Sequence, residues 1–212
     1  MSDTAPPLPA IPTTNPRRAA ADAIVTTGRL TYPDSLPITE RRDELLAAIR
    51  DPDPVIFFEP KRIYRQYKEE VPDDGEALPL DVCFVLRDGS DVTLVSWGSQ
   101  IKETLETADA LAKEGISAEV IDVACLKPLD FDTILESVKK TGRCVIIHEA
   151  AKTAGFGAEI AARLAEEALY DLHAPVERVT GYDTHIPLFR LEMKYLPSVE
   201  KILAAVKRTL SV

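Results

Sequence analysis

The chain has 212 residues, 45% of them hydrophobic and 28% charged, and its 25 Lys and Arg against 35 Asp and Glu leave a formal charge of −10. That balance excludes a nucleic-acid or anionic-membrane surface as the main binding face. The longest apolar runs, such as Val55-Ile56-Phe57-Phe58, reach roughly five residues, far short of the ~20 a membrane-spanning helix needs.

Met1 to Pro7 lacks a basic region followed by an apolar stretch, so no secretory leader is expected. Cys83, Cys125 and Cys144 are widely spaced in apolar, strand-like runs. They read as buried thiols of a soluble cytoplasmic protein, not as a disulfide framework or metal cluster.

Proline usage divides the chain, because 12 of the 16 prolines lie at or before Pro79. Residues 1–42 have little hydrophobic periodicity and read as a disordered or unmatched tail. Residues 43–50 suggest a short helix stopped by Asp51-Pro52-Asp53-Pro54, and Val55 to Phe58 suggests a buried strand. Glu69 to Pro79 reads as a polar linker.

From Leu80 the pattern is regular. Asp91 to Ser96 is an expected strand, followed by a helix with Ile101, Leu105, Ala108 and Leu111 on one face and Gly115 closing it. Ala118 to Val123 is the next strand. Asp130 is placed to cap a helix through Phe131, Ile134, Leu135 and Val138 that ends at Gly142.

Arg143 to Ile147 is a strand apolar enough to be covered on both faces. Gly155-Phe156-Gly157 leads into a helix through Ile160, Leu164 and Ala168, and Val176 to Val179 is a short strand. Ser198 opens a last helix with Val199, Ile202, Leu203, Val206 and Leu210 at helical spacing. Such alternation indicates a three-layer αβα domain with a mostly parallel sheet over residues 80–212.

His148-Glu149 follows the most apolar strand, where open α/β sheets bind ligands. An acid/base pair is one reading. The other, which a lone dipeptide favours, is local hydrogen bonding by the histidine and capping or subunit contact by the glutamate. Gly155-Phe156-Gly157 has neither the dinucleotide nor the P-loop spacing, so tight strand-to-helix packing is the better reading. Gly181-Tyr182-Asp183-Thr184-His185 is either a polar site loop or an Asx-type turn. His148, His173 and His185 have no metal-ligand spacing.

Four blocks together carry a resemblance. The first comprises Phe57-Phe58-Glu59-Pro60-Lys61-Arg62-Ile63-Tyr64-Arg65, Glu69-Glu70-Val71-Pro72 and Gly89 to Gly98. The second comprises Glu119 to Val123 with Leu126-Lys127-Pro128-Leu129-Asp130. The third runs from Ser137 to Arg143, through His148-Glu149-Ala150, to Gly155 to Ile160. The fourth is Ala174 to Thr184. In this order they resemble the β subunit of the thiamine-diphosphate-dependent 2-oxo acid dehydrogenases. Phe57 to Lys61 and Gly181 to Thr184 lean towards the branched-chain, 2-oxoisovalerate type.

The resemblance implies a transketolase-like C-terminal domain over 80–212, preceded at 43–79 by the end of a pyrimidine-binding domain and a linker. It implies oxidative decarboxylation by a full assembly that uses thiamine diphosphate with magnesium, and these cofactors carry the chemistry. An α subunit, a second β subunit and a lipoyl acyltransferase core are the implied partners. The family's cofactor-contacting glutamate and active-site histidine would lie upstream of the matching residues, so no catalytic, cofactor or metal role passes to any residue here. The expectation is a truncated β subunit, inactive alone, that supplies assembly and docking surface.

In the family the position before Ala174-Pro175 is commonly acidic and faces the acyltransferase's binding domain, and here it is His173. His173 and the terminal carboxylate of Val212 are therefore candidate docking residues, and His148, Glu149 and Asp183 are loop candidates. The alternatives are a non-catalytic interaction module, or the C-terminal piece of a pyruvate dehydrogenase or transketolase-type enzyme.

Overall fold

The structure, a computed structural model, describes residues 47–63, 78–188 and 190–212. Five strands form one sheet: β1 (Phe84–Arg87), β2 (Val92–Ser96), β3 (Ala118–Asp122), β4 (Cys144–Ala151) and β5 (Glu177–Gly181). Their order is β1-β3-β2-β4-β5. β1 is antiparallel to β3, and the other pairs are parallel.

Helices α1 (Ile101–Lys113), α2 (Phe131–Thr141), α3 (Gly157–Glu167), α4 (Glu192–Tyr195) and α5 (Val199–Leu210) connect or follow the strands. Strand alternation sorts the core into two layers. Val95, Ile121, Cys144 and Ile146 pack with Ile134 and Val138 of α2 and with Ile160 and Leu164 of α3. Val92, Leu94, Val120, Val145 and Ile147 pack with Leu111 of α1 and with Ile202 and Val206 of α5. The result is helix, sheet, helix, as expected from the sequence.

The helix boundaries have local causes. Asp130 Oδ1 accepts the Thr133 amide at 3.2 Å and starts α2. Gly142, at φ +69°, closes it in the left-handed conformation, which glycine adopts without a Cβ penalty. Ser198 Oγ accepts the Lys201 amide at 3.4 Å at the head of α5.

Four expectations change. Val55 to Phe58 is no strand among the described residues, and Ile56 and Phe58 are exposed. A strand needs a hydrogen-bonded neighbour, and the described residues give it none. β1 was not anticipated, because Phe84-Val85-Leu86-Arg87 is too short to show periodicity. β4 runs to Ala151 instead of stopping at Ile147, with an irregularity in its pairing to β5 between Ile147 and Ala151. Cys125 lies past β3 and is only half-buried, whereas Cys83 and Cys144 are buried as expected. Burial pushes the Cys144 thiol up to about 12. Of the predicted 43–50 helix, residues 47–50 are helical and the rest lies outside the described residues, as do the 1–42 tail and most of the Glu69 to Pro79 linker.

Candidate functional site

β2 and β4 are neighbours, yet β2 feeds α1 on one face and β4 feeds α3 on the other. The crevice between their C-terminal ends is the topological switch point of the sheet, the usual ligand position in such folds. Trp97, Ser99 and Gln100 come from the β2 end, and His148 and Glu149 from β4. The side chains of His148 and Glu149 leave opposite faces, as period-two geometry requires, so the two are not one acid/base pair.

His148 faces the α3 side and is 1% exposed. Its ring stacks on Trp97 with centroids 5.2 Å apart and planes 18° from parallel, and Phe156 meets Trp97 edge-on. A Cβ on Gly157 would lie 2.7 Å from His148 Cδ2, and one on Gly155 would lie 2.6 Å from Cε1. The two glycines therefore exist to let the loop close on the imidazole, which is the packing reading. Burial holds the His148 pKa below its ordinary value; the Ala150 backbone carbonyl opposes this, and the Arg178 charge adds to it. Neither ring nitrogen has a partner of hydrogen-bond geometry among the described residues. His148 is thus a neutral, packed imidazole.

Glu149 faces the α1 side. Its Oε1 accepts from the Ser99 hydroxyl, and Gln100 Nε2 approaches it at 3.5 Å. Burial pushes its pKa up; Gln100 and Arg62 oppose this, and Glu103 and Glu192 reinforce it. Arg62, which precedes the sheet unit, donates to Glu103 in the first turn of α1. Sequence reasoning missed Arg62, Trp97, Ser99, Gln100 and Glu103. The available signal was Gly98-Ser99 between a strand and a helix.

The other candidates lie elsewhere. Asp183 accepts from the Thr153 amide at 2.8 Å and its hydroxyl at 2.7 Å, which hold its carboxyl below the usual range. It ties the loop after β4 to the loop after β5, across 30 residues, and so is not a local Asx turn. His173 is exposed at the C-terminal end of α2, where its amide donates to Gly142 O at 2.7 Å. Val212 is exposed beyond α5. Among the described residues no group of three His, Cys, Asp or Glu converges as metal ligands, and no helix is long and apolar enough to cross a membrane.

The pattern of the family described as "Transketolase, C-terminal domain" matches residues 82–202. The chain belongs to that family. It is 48% identical over 172 residues to "2-oxoisovalerate dehydrogenase subunit beta 2, mitochondrial" of Arabidopsis thaliana, covering 81% of this chain and 48% of the relative. To "Pyruvate dehydrogenase E1 component subunit beta" of Bacillus subtilis (strain 168) it is 41% identical, covering 78% and 51%. It spans about half the length of the curated relatives it matches. Among solved structures, "Split gene transketolase, inactive beta4 tetramer" superposes with a TM-score of 0.66 at 30% identity, covering 84% of this chain and 56% of the other. The fold inferred from sequence is therefore the fold of the family.

Proposed function

We propose that this chain acts as the C-terminal part of the β subunit of a branched-chain 2-oxo acid dehydrogenase, an oxidoreductase, and supplies assembly and docking surface. The carrying observation is the 48% identity to a plant 2-oxoisovalerate dehydrogenase β subunit over 81% of this chain. Identities of 39–44% to bacterial pyruvate dehydrogenase β subunits, below the 46–48% to two 2-oxoisovalerate subunits, favour the branched-chain type. Residues 1–42 are read as a tail, 43–79 as the end of a pyrimidine-binding domain with its linker, and 80–212 as the transketolase-like domain. Cytoplasmic location remains part of this reading.

Thiamine diphosphate with magnesium supplies the decarboxylation chemistry of the full assembly when bound. The described residues offer no converging metal-ligand set, and the buried His148 is engaged in packing. This reading gives no step of the reaction to the described residues. The α subunit, a second copy of the chain and the lipoyl acyltransferase core are the proposed partners. His173 and Val212, both exposed, are the proposed contacts with the core.

The test is carbon dioxide release from 2-oxoisovalerate by the purified chain, with thiamine diphosphate, magnesium and a cognate α subunit. The expected result is no turnover. A rate within about tenfold of a complete enzyme, a barrier difference of only ~1.4 kcal/mol, would overturn the non-catalytic role.

A further inference from the structure

Charges from four chain segments act on the Glu149 side of the switch point, and three of them are carboxylates: Glu103 from α1, Glu149 from β4 and, from an exposed position, Glu192 of α4. The fourth is Arg62. Its guanidinium pairs with Glu103 with side-chain exposures of only 23% and 11%, and its charge also favours ionised Glu149. Only part of the available bonding is used. Arg62 Nη1, Glu103 Oε2 and Gln100 Oε1 have no hydrogen-bond partner among the described residues, and Gln100 is fully buried with its amide nitrogen towards Glu149.

This acceptor set suits a guanidinium in shape as well as charge. Two carboxylates from different elements, with a neighbouring buried amide whose oxygen has no partner among the described residues, suit a flat cation with several fixed donors. An ammonium, a point charge with three donors, uses such a set poorly. Residues 60–63 also reach the sheet unit elsewhere: Ile63 is buried, and Pro60 lies 3.6 Å from where a Gly98 Cβ would stand.

We propose that the switch-point crevice is an arginine-recognition site built by Gln100, Glu103 and Glu149, with Glu192 at its exposed rim, and that Arg62 fills it in cis. Its ligand class is the guanidinium group. An arginine side chain of another chain is the chemistry that would compete with Arg62 for it. This site is independent of the β-subunit assignment above.

The test is chemical rescue in the full chain. Arg62→Ala is titrated with methylguanidinium chloride over ~1–50 mM, the range where a contact of about 2–4 kcal/mol saturates, with methylammonium chloride as the matched control. Methylguanidinium is expected to raise the melting temperature of Arg62→Ala saturably. Methylammonium should not, the native chain should not respond, and Arg62→Ala/Glu103→Gln should lose the response. Equal effects of the two cations, or none, would overturn the site. If Arg62→Ala does not fold, amide exchange at Ile63 in Glu103→Gln decides. Exchange about tenfold faster than in the native chain, the weight of one charge-assisted hydrogen bond, supports the site, and unchanged exchange refutes it.

Discussion

His148 and Glu149 are consecutive residues whose surroundings move their proton affinities towards each other. Burial lowers the imidazole pKa and raises the carboxyl pKa. For His148 the unfolded chain takes up its proton first. The histidine's contribution to stability is therefore intact above about pH 6.5 and is lost as pH falls through that value towards the lower folded pKa. His148→Phe keeps an aromatic ring on Trp97 but has no proton to bind, so its urea midpoint should fall less steeply between about pH 7 and 5. The slope decides this and the absolute midpoint does not, and equal slopes would refute it. For Glu149 the sign is reversed. Its contribution is intact below about pH 4.5 and is lost as pH rises through the raised folded pKa. Glu149→Gln keeps an acceptor for Ser99 and removes a charge whose burial and repulsion by Glu103 and Glu192 outweigh the opposing Gln100 bond and Arg62 charge. It should be more stable than the native chain at pH 8, with the gain gone by about pH 4. Melting curves at the two pH values check this.

At the scale of elements, α3 starts where it does because the loop before it must close over a ring. The Gly157 position has His148 Cδ2 and Nε2 at 2.7 Å and Ile146 Cγ2 at 3.0 Å from an added Cβ. The ring cannot yield easily, since Trp97 stacks on it and the core lies beneath. Gly157→Ala should cost about 1–3 kcal/mol, as overpacking of a filled core does. Denaturant unfolding measures it, and a change below ~0.5 kcal/mol would show that the loop shifts freely. The same element logic explains Val55 to Phe58. Apolar, β-branched composition suits a strand, but pairing decides whether one forms.

At the scale of the whole molecule, the proposed docking contacts are His173 at the end of α2 and Val212 beyond α5. His173 lacks the fixed negative charge of an aspartate, which a basic partner would meet. His173→Asp should therefore tighten binding of the isolated acyltransferase binding domain about two- to tenfold at low salt, and the gain should fade as salt rises. The same substitution sets a negative charge at the C-terminal end of α2, where the helix dipole disfavours it. A small loss of melting temperature should accompany the gain. Titration calorimetry of both forms at two salt concentrations tests the contact, and unchanged affinity at low salt would move the docking site elsewhere.

The fold class was legible in the sequence because hydrophobic period is local information. Leu94 and Val95, or Val145 and Ile146, must point to opposite faces, and continuous apolar runs then demand helices on both sides of the sheet. Asp130, Gly142 and Ser198 announced their helix ends for the same reason, since a cap is satisfied within a few residues. The packing role of Gly155 and Gly157 could be inferred, but the ring they pack against could not. The tertiary structure alone decided that His148 and Glu149 diverge, that Asp183 is held by Thr153, and that Arg62 reaches Glu103 across 41 positions. Each of these depends on which strands become neighbours, and strand order is set by the competition of long-range contacts that no local pattern records.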